Sequence, residues 1–215
     1  MTLSRAKQID LLCKAIAQDH DGWVYSAKAF KYKGLKYVTK TVDFGWSGSS
    51  VSVSSQPIVT IMDKKIEKIW KYLEKGGGWT QFLRVMSPED SRFQYRKRIK
   101  DIQADGAESY IREVLDIGMR MLEENWDFSS EENLLRNLPI DDPTLPKGEA
   151  ILLDGDLGTR YCIAKMLLGD FDYIERFYRD EIKTPRPKRK ADLEILMKHI
   201  PEFKADFEKK GILYI

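Results

Sequence analysis

Few side chains in this sequence stand at spacings that would support chemistry. His20 and His199 are the two histidines, and neither falls into a Cys/His spacing that would close a zinc site. Asp154 and Asp156, in LLDGDLG, could grip a hard cation between them. The later acidic positions and the closing glutamate of a calcium loop do not follow, so a carboxylate there reads instead as a cap for a helix starting at Leu157. No GxSxG elbow occurs, and neither Cys13 nor Cys162 neighbours a histidine along the chain. Both cysteines fall on apolar helix faces, where the residue behaves as a small hydrophobe. Glu123-Glu124, Glu131-Glu132 and Asp141-Asp142 are paired acids, but without a pocket they carry no acid–base assignment. Gly76-Gly77-Gly78 follows a helical pattern rather than a strand, which reads as a helix stop and not as a phosphate cradle. The residues therefore point to no catalytic group, no metal and no cofactor.

One stretch offers recognition rather than reaction. Trp23 to Ile61 carries Lys28, Lys31, Lys33, Lys36 and Lys40, with no acid before Asp43. With Tyr32 and Tyr37 among them, and with Arg96-Lys97-Arg98 and Lys188-Arg189-Lys190 elsewhere, these lysines could track a phosphate backbone while rings stack on bases. Against this, the net charge is only +2 and no nucleic-acid module's signature is complete. Lysines on an exposed strand also discourage edge-to-edge pairing. Nucleic-acid binding is kept as an alternative.

The same stretch is the organising element of the fold. Its aromatic and β-branched residues alternate in polarity and are punctuated by Gly34, Gly45, Gly48 and Pro57, which predicts antiparallel strands joined by turns. Trp23, Tyr25, Ala27 and Ala29 share one parity while Phe30 and Tyr32 take the other, which predicts one strand with a bulge near Ala29. A second strand covers Leu35–Phe44, and Pro57 belongs at a strand start or on an edge before Ile58–Ile61. Trp79–Met86 reads as a further strand. Residues 87–103 are open between helix and strand: Ser87 and Pro88 open like a helix, whereas Phe93, Tyr95 and Ile99 would serve a strand.

Helices surround this sheet. The first covers residues 3–20, capped by Thr2 or Ser4, with Ile9, Leu12, Cys13 and Ile16 on one face. Asp63 caps a second, Lys64–Lys75, striped by Ile66, Ile69, Trp70 and Leu73. The third, Asp105–Trp126, puts Ala107, Ile111, Val114, Leu115, Gly118, Met121, Leu122 and Trp126 on one side. A short helix follows Ser129-Ser130. The proline-rich PIDDPTLPKG reads as a loop. Leu157–Leu168 and Phe171–Ile182 form a helical hairpin broken at Gly169-Asp170. Lys183–Lys190 is an extended basic linker, and a last helical segment carries Leu193, Leu196, Ile200, Phe203 and Phe207, with Pro201 starting a new turn.

The expected fold class is α+β: an antiparallel sheet of four or five strands between about residues 23 and 86, flanked by helices, with a helical C-terminal portion. Length suits one large domain or two small ones. The expected division is 1–103, the sheet-containing portion, and 104–215, a helical portion packed on it as one continuous globular unit. Charge divides at the same place: 19 Lys/Arg against 10 Asp/Glu up to residue 103, and 17 against 24 after it. Opposed faces of this kind steer charged partners, or attract each other across an internal contact. No apolar run approaches the roughly 20 residues that cross a bilayer. The opening residues lack the apolar core of a signal peptide, and two cysteines are few, so a cytoplasmic location with reduced thiols is expected.

The opening helix, FKYKGLKYVTKTV, VSVSSQPIVTIMDKKIEKIWKYL and the later RYCIAKMLLGDFDYIERF pair together resemble a bacterial domain-of-unknown-function family that includes immunity proteins accompanying contact-delivered toxins. The similarity spans about half the chain; Ser87 to Glu149 has no counterpart. It implies a cytoplasmic binder without catalytic residues, whose partner is a cognate toxin. A surface of that kind combines aromatic anchors with complementary charge. Trp46, in GWSGSS, is the candidate anchor, and Asp141, Asp142, Asp154 and Asp156 are candidates to block a basic toxin site. The expected function is thus non-enzymatic neutralisation of a toxin by direct binding, with a nucleic-acid-binding module or a structural adaptor subunit as alternatives. The sequence leaves the oligomeric state open.

Overall fold

A computed structural model describes residues 3–32, 34–43, 52–53, 57–74, 83–86, 97–104, 106–137, 157–182 and 190–211, with backbone alone for 52–53, 74, 83–86, 97–98, 125 and 157. The fold class is α+β, as the strand and helix patterns require. The chain divides into two compact units: unit 1 is Met1–Ile61, Arg84–Asn125 and Pro146–Ile151, and unit 2 is Met62–Leu83, Trp126–Leu145 and Leu152–Ile215. The units interleave along the chain and do not follow a single boundary at 103/104. The long helix after residue 104 clusters with the sheet, because its apolar side lies on a strand.

Unit 1 opens with α1 (Arg5–Gln18), which buries Ile9, Cys13, Ile16 and Ala17. Then come β1 (Trp23–Ser26), β2 (Ala29–Tyr32), β3 (Val38–Asp43) and β5 (Ile58–Asp63), with β6 (Leu83–Met86) later; the sheet order is β1-β2-β3-β5-β6. The first three strands are antiparallel, with Tyr25 opposite Phe30 and Phe30 opposite Val42. Pro57 immediately precedes β5, where its missing N–H removes no ladder bond. β4 (Ser52–Val53) pairs with β7 (Lys97–Arg98) in a separate two-stranded sheet, so within the ambiguous 87–103 stretch those two residues are strand, and residues 99–103 form no helix or strand.

The expected single strand with a bulge near Ala29 is instead a tight hairpin. Ala27 and Lys28 turn the chain at φ +50° and +64°, and Ser26 lies opposite Ala29. Positive φ at both central residues is the requirement of a type I′ turn, which Asn-Gly meets easily. Ala-Lys meets it at a cost of about 1–2 kcal/mol per residue. The parity change in the sequence marked the turn, but its residues gave no turn signal.

Residues opposite one another in an antiparallel pair share a face. Tyr25, Phe30 and Val42 form one row, with the Tyr25 and Phe30 rings 5.0 Å apart, edge to face. The helix α3 (Ala107–Asn125) lies on this face: a Cβ at Gly118 would overlap the Val42 side chain. α1 reaches the same face, where the Cys13 thiol and Tyr25 share a hydrogen bond. All the residues expected on the apolar side of α3 are buried, and Glu108, Glu113, Asp116, Arg120 and Glu123 are exposed.

Unit 2 is helical. Asp63 caps α2 (Lys64–Glu74): its Oδ1 accepts from the Lys65 and Ile66 amides at 2.7 and 3.1 Å. Ile66, Ile69, Trp70 and Leu73 are buried as their spacing predicts. Ser130 caps α4 (Glu131–Arg136), accepting from the Asn133 amide at 3.0 Å. α5 (Leu157–Leu167) is covered nearly all round, burying Thr159, Arg160 and the run Tyr161–Ala164. It is in contact with α2, α4, α6 (Phe171–Tyr178) and α7 (Lys190–Lys210), which makes it the centre of the unit. Gly169, at φ +78°, ends α5, and Asp170 starts α6 by accepting from the Tyr173 amide at 3.2 Å. α7 runs unbroken through Pro201, correcting the expected fresh start there. Pro201 is exposed, so the carbonyl it leaves without a helical donor is on the wet side. Leu193, Leu196, Ile200 and Phe203 stay buried in one register across it.

Candidate protein-binding surfaces

Nucleophiles come first, because they would mark a reaction. Neither Cys13 nor Cys162 is in a disulfide, and both are fully buried. Burial pushes the Cys13 thiol up to about 12; the Tyr25 hydrogen bond opposes this and the charge of Asp10 adds to it. A thiol held so high carries almost no thiolate at neutral pH. His199 lies between aromatic rings, 5.2 Å from that of Tyr72 and 6.2 Å from that of Phe203, with Nδ1 3.5 Å from Glu202. His20 is half-buried where α1 gives way to β1. Among the described residues no three His, Cys, Asp or Glu side chains converge as a metal site. No described helix is long and apolar enough to cross a membrane.

The basic strands are arranged differently from their appearance in sequence. Trp23, Tyr32 and Lys40 form one row on the helix-covered face. The Tyr32 ring is 5.7 Å from that of Trp23, and the Lys40 ammonium sits 4.3 Å from its centroid. Two glycines border the same ring: a Cβ at Gly22 would lie 2.6 Å from it, and one at Gly34 would overlap it. Tyr32, half-buried, is therefore packed between Trp23, Lys40 and the two glycines. Burial lowers the pKa of Lys40, with the carboxylate of Glu123 pulling the other way. Lys31 faces the opposite side, in a row with exposed Val24 and buried Thr41. Lys28 thus lies in the hairpin turn, Lys31 and Lys40 face opposite sides of the sheet, and Lys36 lies in the bend between β2 and β3; Lys33 lies outside the described residues.

Two surfaces have the form of recognition sites, one in each unit. In unit 1, Ser109, Arg112, Glu113, Asp116, Ile117 and Arg120 line a shallow depression on the outer side of α3. Its charges already answer one another in part: Arg112 donates to Asp19 at 2.7 Å and to Glu108 at 2.9 Å.

In unit 2, four apolar side chains form the floor of a groove of about 310 Å³: Leu135, Leu167, Leu168 and Phe207. Lys65, Glu131, Glu132 and Arg136 stand along its rim. Phe207 is fixed from behind. Its ring is 5.8 Å from that of Phe171, edge to face, and a Cβ on Gly169 would come within 2.5 Å of it. At the end of α7, Gly211 takes φ +69° and donates to the Phe207 carbonyl at 2.7 Å. On the rim, Lys65 and Glu131 are 3.5 Å apart, and Arg136 donates to Glu132 at 2.7 and 2.9 Å. A second depression shares Arg136 and Leu168 and adds Lys165, Gly169 and Asp170, so the surface is a continuous band. Lys165 is held over the rings of Tyr161 and Tyr173, at 5.3 and 5.0 Å.

The side chains expected to meet a partner, Trp46, Asp141, Asp142, Asp154 and Asp156, lie outside the described residues. The groove was not anticipated. Its sequence signal is an excess of apolar residues beyond one helical stripe: Leu167 and Leu168 extend α5 past its buried positions, and Phe207 continues the α7 stripe one turn beyond Phe203. Comparison with known proteins gives no match to a family model, to a curated protein or to a solved structure.

Proposed function

We propose that this chain is a non-enzymatic binding protein of the bacterial cytoplasm that neutralises a cognate toxin by occluding it. The observation that carries the reading is the anatomy of the unit 2 groove: an apolar floor at Leu168 and Phe207, with charges of both signs on its rim. Protein–protein interfaces have this arrangement, with an apolar centre excluding water and a polar rim setting orientation. Both cysteines lie in the core, where they serve as packing. The resemblance of the strand and helix motifs to immunity proteins supports the same reading.

The test is co-expression with the toxic polypeptide encoded beside this chain. Protection of growth, and elution of the two as one complex, are expected. Unprotected growth with the two eluting separately would overturn the proposal.

A further inference from the structure

We infer that the apex of the β1–β2 hairpin is a recognition arm that carries Lys28 into a carboxylate-lined cleft of a protein partner. The inference rests on the protein-binding reading above and goes further, to the residue that enters the partner and the chemistry that receives it. Three observations carry it.

First, the apex keeps side chains where the backbone disfavours them. Ala27 and Lys28 take φ +50° and +64° in a two-residue turn that Asn-Gly would form without strain. Left-handed backbone at residues with a Cβ persists where the surrounding structure enforces it, and it clusters at functional sites. A glycine at either position would relieve the turn, and the sequence has neither.

Second, the arm is stiff and its apex is open. The strands pair from Ser26 opposite Ala29 to Trp23 opposite Tyr32, and β2 is paired on its other side with β3. Tyr25, Ala29 and Phe30 are buried, and the Tyr25 and Phe30 rings meet edge to face at the base of the turn. Ser26, Ala27 and Lys28 are exposed. A loop already held in one conformation loses little freedom when it binds.

Third, the apex is narrow and carries one charge. Between Tyr25 and Phe30 the sequence is Ser-Ala-Lys-Ala, in which Lys28 is the single ionisable residue and its neighbours are small. Asp43 lies opposite Ala29, on the stem. A thin arm with one cation at its tip is the counterpart of a cleft lined by carboxylates, where charge complementarity fixes the register of docking. A nucleic-acid backbone is a poorer match. Tracking phosphates takes a row of cations, and Lys31 and Lys40 face opposite sides of the sheet.

The test uses the purified full chain and the toxic polypeptide encoded beside it, with binding followed by titration calorimetry at physiological ionic strength. Three single variants separate the cation from the backbone. Lys28→Gln keeps a side chain on the left-handed residue and removes the charge. Lys28→Gly removes both, and Ala27→Gly relieves the neighbouring residue while keeping Lys28. Lys28→Gln and Lys28→Gly are each expected to weaken toxin binding at least about thirtyfold, the lower end of the loss when one member of a desolvated charge pair is removed. Ala27→Gly is expected to bind as the parent does. Denaturant melts are expected to show both glycine variants at least as stable as the parent, so that weaker binding by Lys28→Gly is not a loss of fold.

Toxin binding by Lys28→Gln and Lys28→Gly equal to the parent's would overturn the inference and leave the toxin-binding reading standing. Ala27→Gly weakening binding as much as Lys28→Gln would overturn it too, by making backbone shape the determinant. So would saturable binding of a short fluorescein-labelled oligodeoxynucleotide that Lys28→Gly abolishes, because phosphate would then be the occupant. If the parent itself does not bind the toxin, the reading fails and the inference falls with it.

Discussion

The two units differ in where their aromatic and leucine side chains go, although Leu3, Leu11 and Val24 of unit 1 stay exposed. Unit 1 draws the rings of Tyr25, Phe30 and Tyr32 onto the face covered by α1 and α3, and the outer side of α3 is charged. Unit 2 encloses α5 but leaves Leu167, Leu168 and Phe207 half-buried at a groove. The lysine-rich aromatic strands, which look most like a recognition element in sequence, turn Tyr25, Phe30 and Tyr32 to the helix-covered face. The half-buried apolar groove comes from helix stripes that look like core. Aromatic content therefore says little about recognition until the covering layer of each face is known.

The contrast between a closed face and an open one can be broken at several points. The largest expected effect is in the covered part of unit 2. Trp70→Ala should lower unfolding stability by about 3–5 kcal/mol, because Trp70 is buried and stacks under the Arg160 guanidinium at 5.1 Å. Denaturant melts followed by circular dichroism would measure it, and a loss below about 1 kcal/mol would place Trp70 outside the core.

Next comes Gly118, where α3 meets Val42. Alanine normally favours a helix over glycine by about 1 kcal/mol. Here the added methyl would overlap a β-branched side chain on a paired strand, so Gly118→Ala should instead destabilise by about 1–3 kcal/mol. A stabilised variant would mean that α3 does not lie against β3.

Asp63→Ala removes a helix cap and should cost about 1 kcal/mol. Asp63→Asn keeps a good cap and tests the charge alone. Burial raises the Asp63 pKa above its ordinary 3.8, with Glu131 adding to the effect and the amides of Ile66 and Lys65 opposing it. The folded chain then holds this proton more tightly than the unfolded chain. The contribution of Asp63 to stability is complete below about pH 3.8 and falls as pH rises through the folded value. Stability of Asp63→Asn relative to the parent should therefore increase from pH 4 toward pH 7 in parallel urea melts. The opposite slope would show a carboxylate stabilised by its surroundings.

The smallest effect is at the hairpin turn. Lys28→Gly relieves a left-handed conformation at φ +64° and should stabilise unit 1 by about 0.5–1 kcal/mol in the same melts. Destabilisation would mean that the Lys28 side chain contributes more than its backbone strain costs.

Helix positions and buried stripes were largely legible in the sequence, since spacing at 3.6 residues is a local signal, and so was the Asp63 cap; Ser4, expected to cap α1, makes no side-chain cap hydrogen bond. The 26–29 turn was not legible, because Ala27 and Lys28 adopt a glycine-type conformation without glycine or asparagine. Pro201 misled for the complementary reason: a local breaker yielded to a buried stripe that continues on both sides of it. The division into units was hidden too, since contact across the sheet decides where α3 belongs and chain order does not. The groove joins residues from α4, α5 and α7, a juxtaposition that no local pattern encodes.

Stoichiometry tests the central claim, action by occlusion without chemistry, most directly. Purified chain would be titrated into a fixed amount of the toxin while the toxin's activity is followed. Occlusion predicts that inhibition rises linearly, ends at one equivalent and does not deepen with time. Complete, time-dependent inactivation by a small fraction of an equivalent would contradict it, because only a catalyst acts more than once.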